Sequence, residues 1–188
     1  MSAVMERPAV GPRTPHQVDS EPAPRAFSLR RLHAERLIDA HLPVLRRLHG
    51  NAQVMATLGG ARTPAETAAS LERNLAHWDR YGFGIWVLRD SATGRVAGSA
   101  GLRHRQVEGT AEVELRCALF PEFWGRGLAT DAARACVTIG RDWLGLSSVV
   151  ALTGRENAAS QRVLEKAGLG LDRQVMQREV PLLLFRTD

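Results

Sequence analysis

The stretch Phe120-Pro121-Glu122-Phe123-Trp124-Gly125-Arg126-Gly127-Leu128-Ala129-Thr130 constrains the fold more than any other part of the chain. The residues before it, 112–119, alternate enough to read as a strand. After it, Leu128, Ala132, Cys136, Ile139 and Trp143 recur at helical spacing. The pattern predicts a strand ending at Pro121, a short glycine loop and a helix opening near Leu128. Gly125 and Gly127 remove two Cβ atoms and let backbone N–H groups approach a ligand. The new helix end adds unpaired N–H donors and a partial positive charge, a combination that attracts phosphate. Arg126 adds a cation. The loop carries no Gly-x-x-x-x-Gly-Lys, and no Gly-x-Gly-x-x-Gly follows an early strand, so neither common nucleotide fingerprint applies. Alone, the stretch fits a plain strand–helix turn as well as a phosphate cradle.

The 188 residues suit one domain with a sizeable core, and a hydrophobic fraction of 44% is ordinary for a globular protein. The formal charge is +5, carried almost wholly by arginine, since Lys166 is the only lysine. A basic surface suits a phosphate-bearing ligand, an acidic substrate or nucleic acid. Without a dense arginine tract, an aromatic-rich RNA platform or a zinc spacing, nucleic-acid binding is not expected. Cys117 and Cys136 lack metal-ligand spacing and read as free, reduced thiols, which fits a cytoplasmic protein. Residues 1–25 are rich in Pro and Ala and read as a flexible tail, leaving a single domain over 26–188. The tail lacks the apolar run of a secretory signal, and no stretch approaches the length of a membrane span.

The elements follow in order. Residues 27–32 suggest a strand. Residues 34–48 suggest a helix, through Leu37, Ile38, His41, Leu45 and Leu48, which Pro43 should kink or divide. His33, His41 and His49 fall nearby without a metal pattern. Residues 55–61 read as a loop. Thr63-Pro64-Ala65-Glu66 opens a helix with a capping box, and Leu71, Leu75 and Trp78 mark one face of it up to Tyr81-Gly82. Strands are expected over 84–88, 95–102 and 111–119, turning at 90–94 and 108–109. A strand over 149–152, a helix over 158–167 and a hairpin of 169–175 with 180–185 complete the chain. Pro181 requires the last strand to start late or lie at an edge. The fold class is α/β, a mixed and mostly antiparallel sheet flanked by helices.

Two segments carry a family resemblance. Trp124-x-x-Gly127-x-Ala129 resembles the Arg/Gln-x-x-Gly-x-Gly/Ala pyrophosphate loop of the GCN5-related N-acetyltransferases. With Trp124 in the first position, the stretch is similar to the Pro-x-Tyr-Trp-Gly-x-Gly-x-Ala-Thr form of the RimJ/RimL-like branch. Downstream, Asn157-Ala-Ala-Ser160-Gln-Arg162-Val-Leu164-Glu-Lys166-Ala-Gly168-Leu169 resembles that branch's Asn-x-x-Ser-x-Arg-Val-Leu-Glu-Lys-x-Gly-Phe segment. Weaker similarity runs back to about Phe27 and on to the C-terminus. The resemblance implies acetyl-CoA as co-substrate, no metal, and direct transfer to a primary amine in a ternary complex. The acceptor is a protein N-terminus or a small molecule, and homodimerisation is left open.

By the same resemblance, Trp124, Gly125, Arg126, Gly127, Leu128, Ala129 and Thr130 would cradle the pyrophosphate. Ala118 and Leu119 would bind the pantetheine arm through backbone groups where the strand splays. Trp78, Tyr81 and Phe83 either flank the acceptor cleft or pack the core. Amines arrive protonated, so the site needs a proton acceptor. Glu112 and Glu114 share one side of their strand, and Glu114 falls where the branch has a glutamate. Glu114 is therefore the expected base, against the alternative of a solvent-facing charge paired with Arg116. The leaving thiolate needs a proton donor. Where many members of the family have a tyrosine this chain has Leu164, so Ser160 or a water takes that role. Asn157 is an N-cap type that can also hold a pantetheine amide.

Overall fold

The computed structural model describes residues 22–177 and 179–188. The expected tail over 1–25 lies outside the described residues except for its last four. Those belong to the domain: Ala23 is 2% exposed and its N–H donates to Gly82 O, while Pro24 O accepts from the Trp86 indole.

Eight strands are β1 (Ala26–Ser28), β2 (Leu32–Arg36), β3 (Ile85–Asp90), β4 (Val96–Val107), β5 (Thr110–Leu119), β6 (Val150–Thr153), β7 (Leu169–Gln177) and β8 (Val180–Thr187). The helices are α1 (Leu42–Gly50), α2 (Ala52–Met55), α3 (Pro64–Tyr81), α4 (Leu128–Thr138) and α5 (Ala158–Lys166). The strands form one sheet in the order β1-β2-β3-β4-β5-β6-β8-β7, antiparallel throughout except between β5 and β6. Among the described residues no helix is long and apolar enough to cross a membrane.

Alternation sets the two faces of the sheet. Ile85 and Val87 turn toward α1 and α3, where they pack with Leu37, Leu45 and Leu71. Trp86, Leu88, Ala100, Leu102, Val113 and Leu115 turn the other way, into the main core with Leu128, Ala132, Cys136 and Ile139. The capping box at the start of α3 forms as expected. Thr63 Oγ1 accepts from Glu66 N at 3.2 Å, and Glu66 Oε2 accepts from Thr63 N at 2.8 Å.

Three expectations need correction. Residues 34–36 belong to β2, and the helix begins only at Leu42. Pro43 therefore sits in its first turn, where no intrahelical N–H is needed. The single strand expected over 27–32 is two short strands, β1 and β2, paired as a hairpin. Finally, β8 is not an edge strand, because it lies between β6 and β7. Pro181 is tolerated because β6 pairs with β8 only from Leu183 onward, so the missing N–H falls beyond the reach of β6.

Candidate active site

The end of β5 decides what the site can hold. Phe120 N–H donates to Ala97 O at 2.9 Å, and Leu119 stands opposite Gly98. Ladder alternation then points the backbone groups of Ala118 toward β4 and those of Cys117 and Leu119 toward β6. But β6 pairs with β5 only at Glu114↔Val150. Beyond that point the parallel strands part, leaving an open edge. Ala118, expected to bind through its backbone, thus turns those groups toward β4, and Cys117 presents its own to the opening. At Leu119 the carbonyl already accepts from Trp124 Nε1 at 2.7 Å, which leaves its N–H facing the opening.

Just past this edge is the glycine loop. Gly125 and Gly127 have φ of 70° and 73°, left-handed values that side chains rarely adopt. Gly127 is the N-cap of α4 and makes no side-chain cap. The first helical bond runs from Asp131 N to Gly127 O, so the amides of Leu128, Ala129 and Thr130 have no partner within the helix. Trp124 stands 49% exposed beside them.

Arg126 is ion-paired. It donates to buried Asp90 at 2.8 Å and lies over the Phe123 ring. The pair ties the loop to the end of β3, and 44% of the Arg126 side chain stays exposed. Arg31, in the turn between β1 and β2, was not foreseen. It donates to Arg126 O and pairs with Asp131 at 2.8 Å, which places a guanidinium against Gly127.

A cavity of about 120 Å³ fills the opening between β5 and β6. Its lining includes Leu115, Cys117, Ala118, Thr153, Ser160 and Leu164, together with His49, Arg62, Arg103, Glu114 and Arg116. Thr153 Oγ1 and His49 Nδ1 are buried without a hydrogen-bond partner, so two polar atoms await a ligand or water. Glu114 is 4% exposed, and Arg105 Nη1 donates to both of its oxygens at 2.8 and 3.0 Å. The alternative of a solvent-facing carboxylate paired with Arg116 is thereby set aside. Glu112 binds Arg186 away from the cavity.

Ser160 reaches the cavity, and its hydroxyl makes no hydrogen bond among the described residues. Asn157 caps α5, accepting from Ser160 N at 3.0 Å and donating to Thr57 at 2.8 Å. Trp78, Tyr81 and Phe83 stay off the cavity wall. Trp78 and Phe83 are core residues, and Tyr81 makes tilted ring contacts with His77 and His104 at the surface. No group of three His, Cys, Asp or Glu side chains among the described residues is placed to hold a metal.

Burial pushes the Cys117 thiol up to about 12, which disfavours a thiolate nucleophile. Burial, with Arg62 and Arg116 adding like charge, pushes His49 down to about 4. Because the folded value lies below the ordinary 6.5, the unfolded chain binds the extra proton. The stability tied to this ring is therefore complete above pH 6.5 and is lost as pH falls toward 4. His49→Gln should remove roughly 2 kcal/mol of the acid-side loss, a figure discounted for the ring's remaining solvent access. Urea unfolding of both proteins at pH 7 and 4.5 measures it, and equal losses would refute the assignment.

An open strand edge beside a glycine loop that starts a helix can hold an extended arm and a phosphate side by side. A sequence model of the acetyltransferase (GNAT) domain matches residues 31–170, and the chain belongs to that family. It is 28% identical over 138 residues to uncharacterized protein YkkB of Bacillus subtilis, covering 73% of this chain and 80% of YkkB. Among solved structures it resembles a GnaT-family acetyltransferase from Bordetella pertussis, with a TM-score of 0.75, 25% identity and coverage of 88% and 100%. At the level of fold it also resembles the Salmonella typhimurium enzyme that modifies the N-terminal serine of ribosomal protein L7/L12. There the TM-score is 0.70 with 16% identity, covering 84% of this chain and 94% of that one.

Proposed function

We propose that the chain is a RimJ/RimL-like N-acetyltransferase that moves the acetyl group of acetyl-CoA directly to a primary amine in a ternary complex. The observation that carries this is the unpaired β5 edge at Cys117 and Leu119, set beside the free amides of Leu128 to Thr130. The amides and the left-handed glycines would take the pyrophosphate. The strand edge would take the pantetheine amides as a short added strand, with the Leu119 N–H placed to polarise the thioester oxygen. Glu114 would accept the amine proton directly or through water, and the free Ser160 hydroxyl would donate to the departing thiolate. The high Cys117 value supports transfer without a covalent enzyme intermediate. Two free cysteines are in keeping with a cytoplasmic setting. A protein N-terminus, as in the Salmonella enzyme, and a small amine both remain open as acceptors.

Leu164 favours one second reading. It lines the cavity where a hydroxyl-bearing side chain would meet the thiolate, as expected of a module that binds acyl-CoA without transferring it. Calorimetric titration with acetyl-CoA, run with a free-thiol assay over amines and N-terminal peptides, separates the two. Binding with thiol release is expected. Binding without release on any amine supports the second reading, and no binding overturns both. Gly127→Val should weaken acetyl-CoA at least tenfold. The branched side chain cannot easily adopt φ of 73°, and its Cβ would lie 3.1 Å from Arg31 Nη2. Retained affinity would refute the cradle.

A further inference from the structure

The cavity wall under α3 is more cationic than an acetyl donor requires. Arg62, Arg103 and Arg116 line it, and none of the three is ion-paired. Arg62 reaches only the Ser70 hydroxyl, at 3.2 Å. Glu114, the one carboxylate among the described residues on the wall, is held by Arg105. Glu66 attracts Arg62 from outside the wall and Glu114 attracts Arg103, two carboxylates against three guanidiniums, with Glu114 already bound to Arg105 and His49 neutral at ordinary pH. Burial first, and then mutual repulsion, hold Arg62 and Arg103 below the usual arginine value. Half-buried guanidiniums short of counter-charge are costly, and their convergence on a cavity calls for an anion.

The CoA phosphates are not that anion. Leu102 and Leu115 face the α4 side of the sheet. Arg103 and Arg116 follow them directly in sequence, so they face the opposite side. The glycine loop and the first turn of α4 take no part in the cavity wall.

We propose that the acceptor is an amine bearing a carboxylate, which Arg62, Arg103 and Arg116 hold while its amino group points at Glu114. Guanidiniums bind carboxylates in paired, directional hydrogen bonds. The same cluster repels polyamines. The word acceptor rests on the acetyl-transfer reading, whereas the carboxylate site does not.

The test is calorimetric titration of the CoA-bound protein with matched probes. One arm pairs free L-amino acids with their C-terminal amides. The other pairs amide-capped Ser-Glu-Gly with Ser-Gln-Gly. Spermidine is the cationic control. In at least one arm an acid should bind tenfold or more tightly than its neutral partner. That preference should weaken with salt and disappear in Arg116→Gln and Arg62→Gln. The arm that responds tells a small acid from an acidic N-terminus. Equal or undetectable affinities across both arms, or tighter binding of spermidine, would overturn the proposal, and the wild-type comparison needs no variant. Preference retained in both arginine variants would also overturn it. Thiol release in parallel samples supplied with acetyl-CoA in place of CoA reports transfer separately. Acid preference without release would sink the transferase reading and keep the carboxylate site, and release without preference would do the reverse.

Discussion

Gly98→Ala is expected to lower the unfolding midpoint by roughly 10 °C. A Cβ at this position would lie 2.1 Å from Ala118 O and 2.7 Å from Leu119 Cα, both of them backbone atoms that no rotamer change can move. The residue also has φ of 154°, at the rim of what an L side chain tolerates. It sits where β3 and β4 slip register, with Leu88 opposite Gly98 and Arg89 opposite Val96. Overpacking costs about 1–3 kcal/mol and backbone strain a similar amount, so about 4 kcal/mol in all. In a chain of this size each kcal/mol moves the midpoint by roughly 2–4 °C. The damage should not stay with stability. Ala118 and Leu119 are the strands' last paired positions before the glycine loop, so displacing them should weaken acetyl-CoA as well. Gly170→Ala is the control, because a Cβ there meets nothing within 4 Å at an ordinary φ. Thermal unfolding of both variants decides the matter, and a Gly98→Ala midpoint within 2 °C of the parent would refute the packing account.

The sequence makes the fold legible wherever local chemistry and tertiary packing agree. At α3 the capping box, the proline at N1 and the left-handed Gly82 at the end all act within one turn, so pattern suffices. At residues 34–38 they disagree. Leu37 and Ile38 continue a helical spacing with Leu45, yet Leu37 is buried in a connection by contacts with α1 and α3, and Ile38 is exposed. That spacing is a coincidence of tertiary contacts, while the alternating Leu32 and Ala34, both buried, carry the strand signal. Pro181 shows the same limit, since a strand's rank in a sheet depends on where its neighbour stops.

Of the site, the glycine loop and Glu114 are legible because their chemistry is local to one strand–turn–helix unit. The open edge is not, since which backbone groups face β6 follows from the pairing of β5 with β4. The arginine cluster lies between. Arg103 and Arg105 on β4, with Glu112, Glu114 and Arg116 on β5, recur at the period of two that puts charges on one inward face. That signal is in the sequence, but Arg62 and His49 join it only through the packing of α1 and α3. The ion pair of Arg126 is hidden for a similar reason, because Asp90 comes from 36 residues away.

Glu114→Gln is expected to reduce turnover by about a hundredfold or more, the range seen when a positioned proton acceptor is removed. The substitution keeps the shape of the side chain and an oxygen for Arg105 while removing the capacity to take a proton. Acetyl-CoA affinity should change less than twofold, because the glycine loop, the α4 amides and the strand edge are untouched. Stability should fall by about 1–2 kcal/mol, since Arg105 loses its charged partner but keeps Gln177 and partial access to water. Arg105→Gln separates the causes. It breaks the same ion pair but leaves the carboxylate in place to accept the proton. That variant should retain much of the turnover that Glu114→Gln loses. Glu114→Gln should be slow at every pH. If both variants lose activity equally and share one profile, the ion pair is structural and the proton leaves by another route. If Glu114→Gln matches the parent in rate and profile, Glu114 is not the base. The neutral His49 ring, with its unpartnered Nδ1 on the same wall, is then the next group to replace.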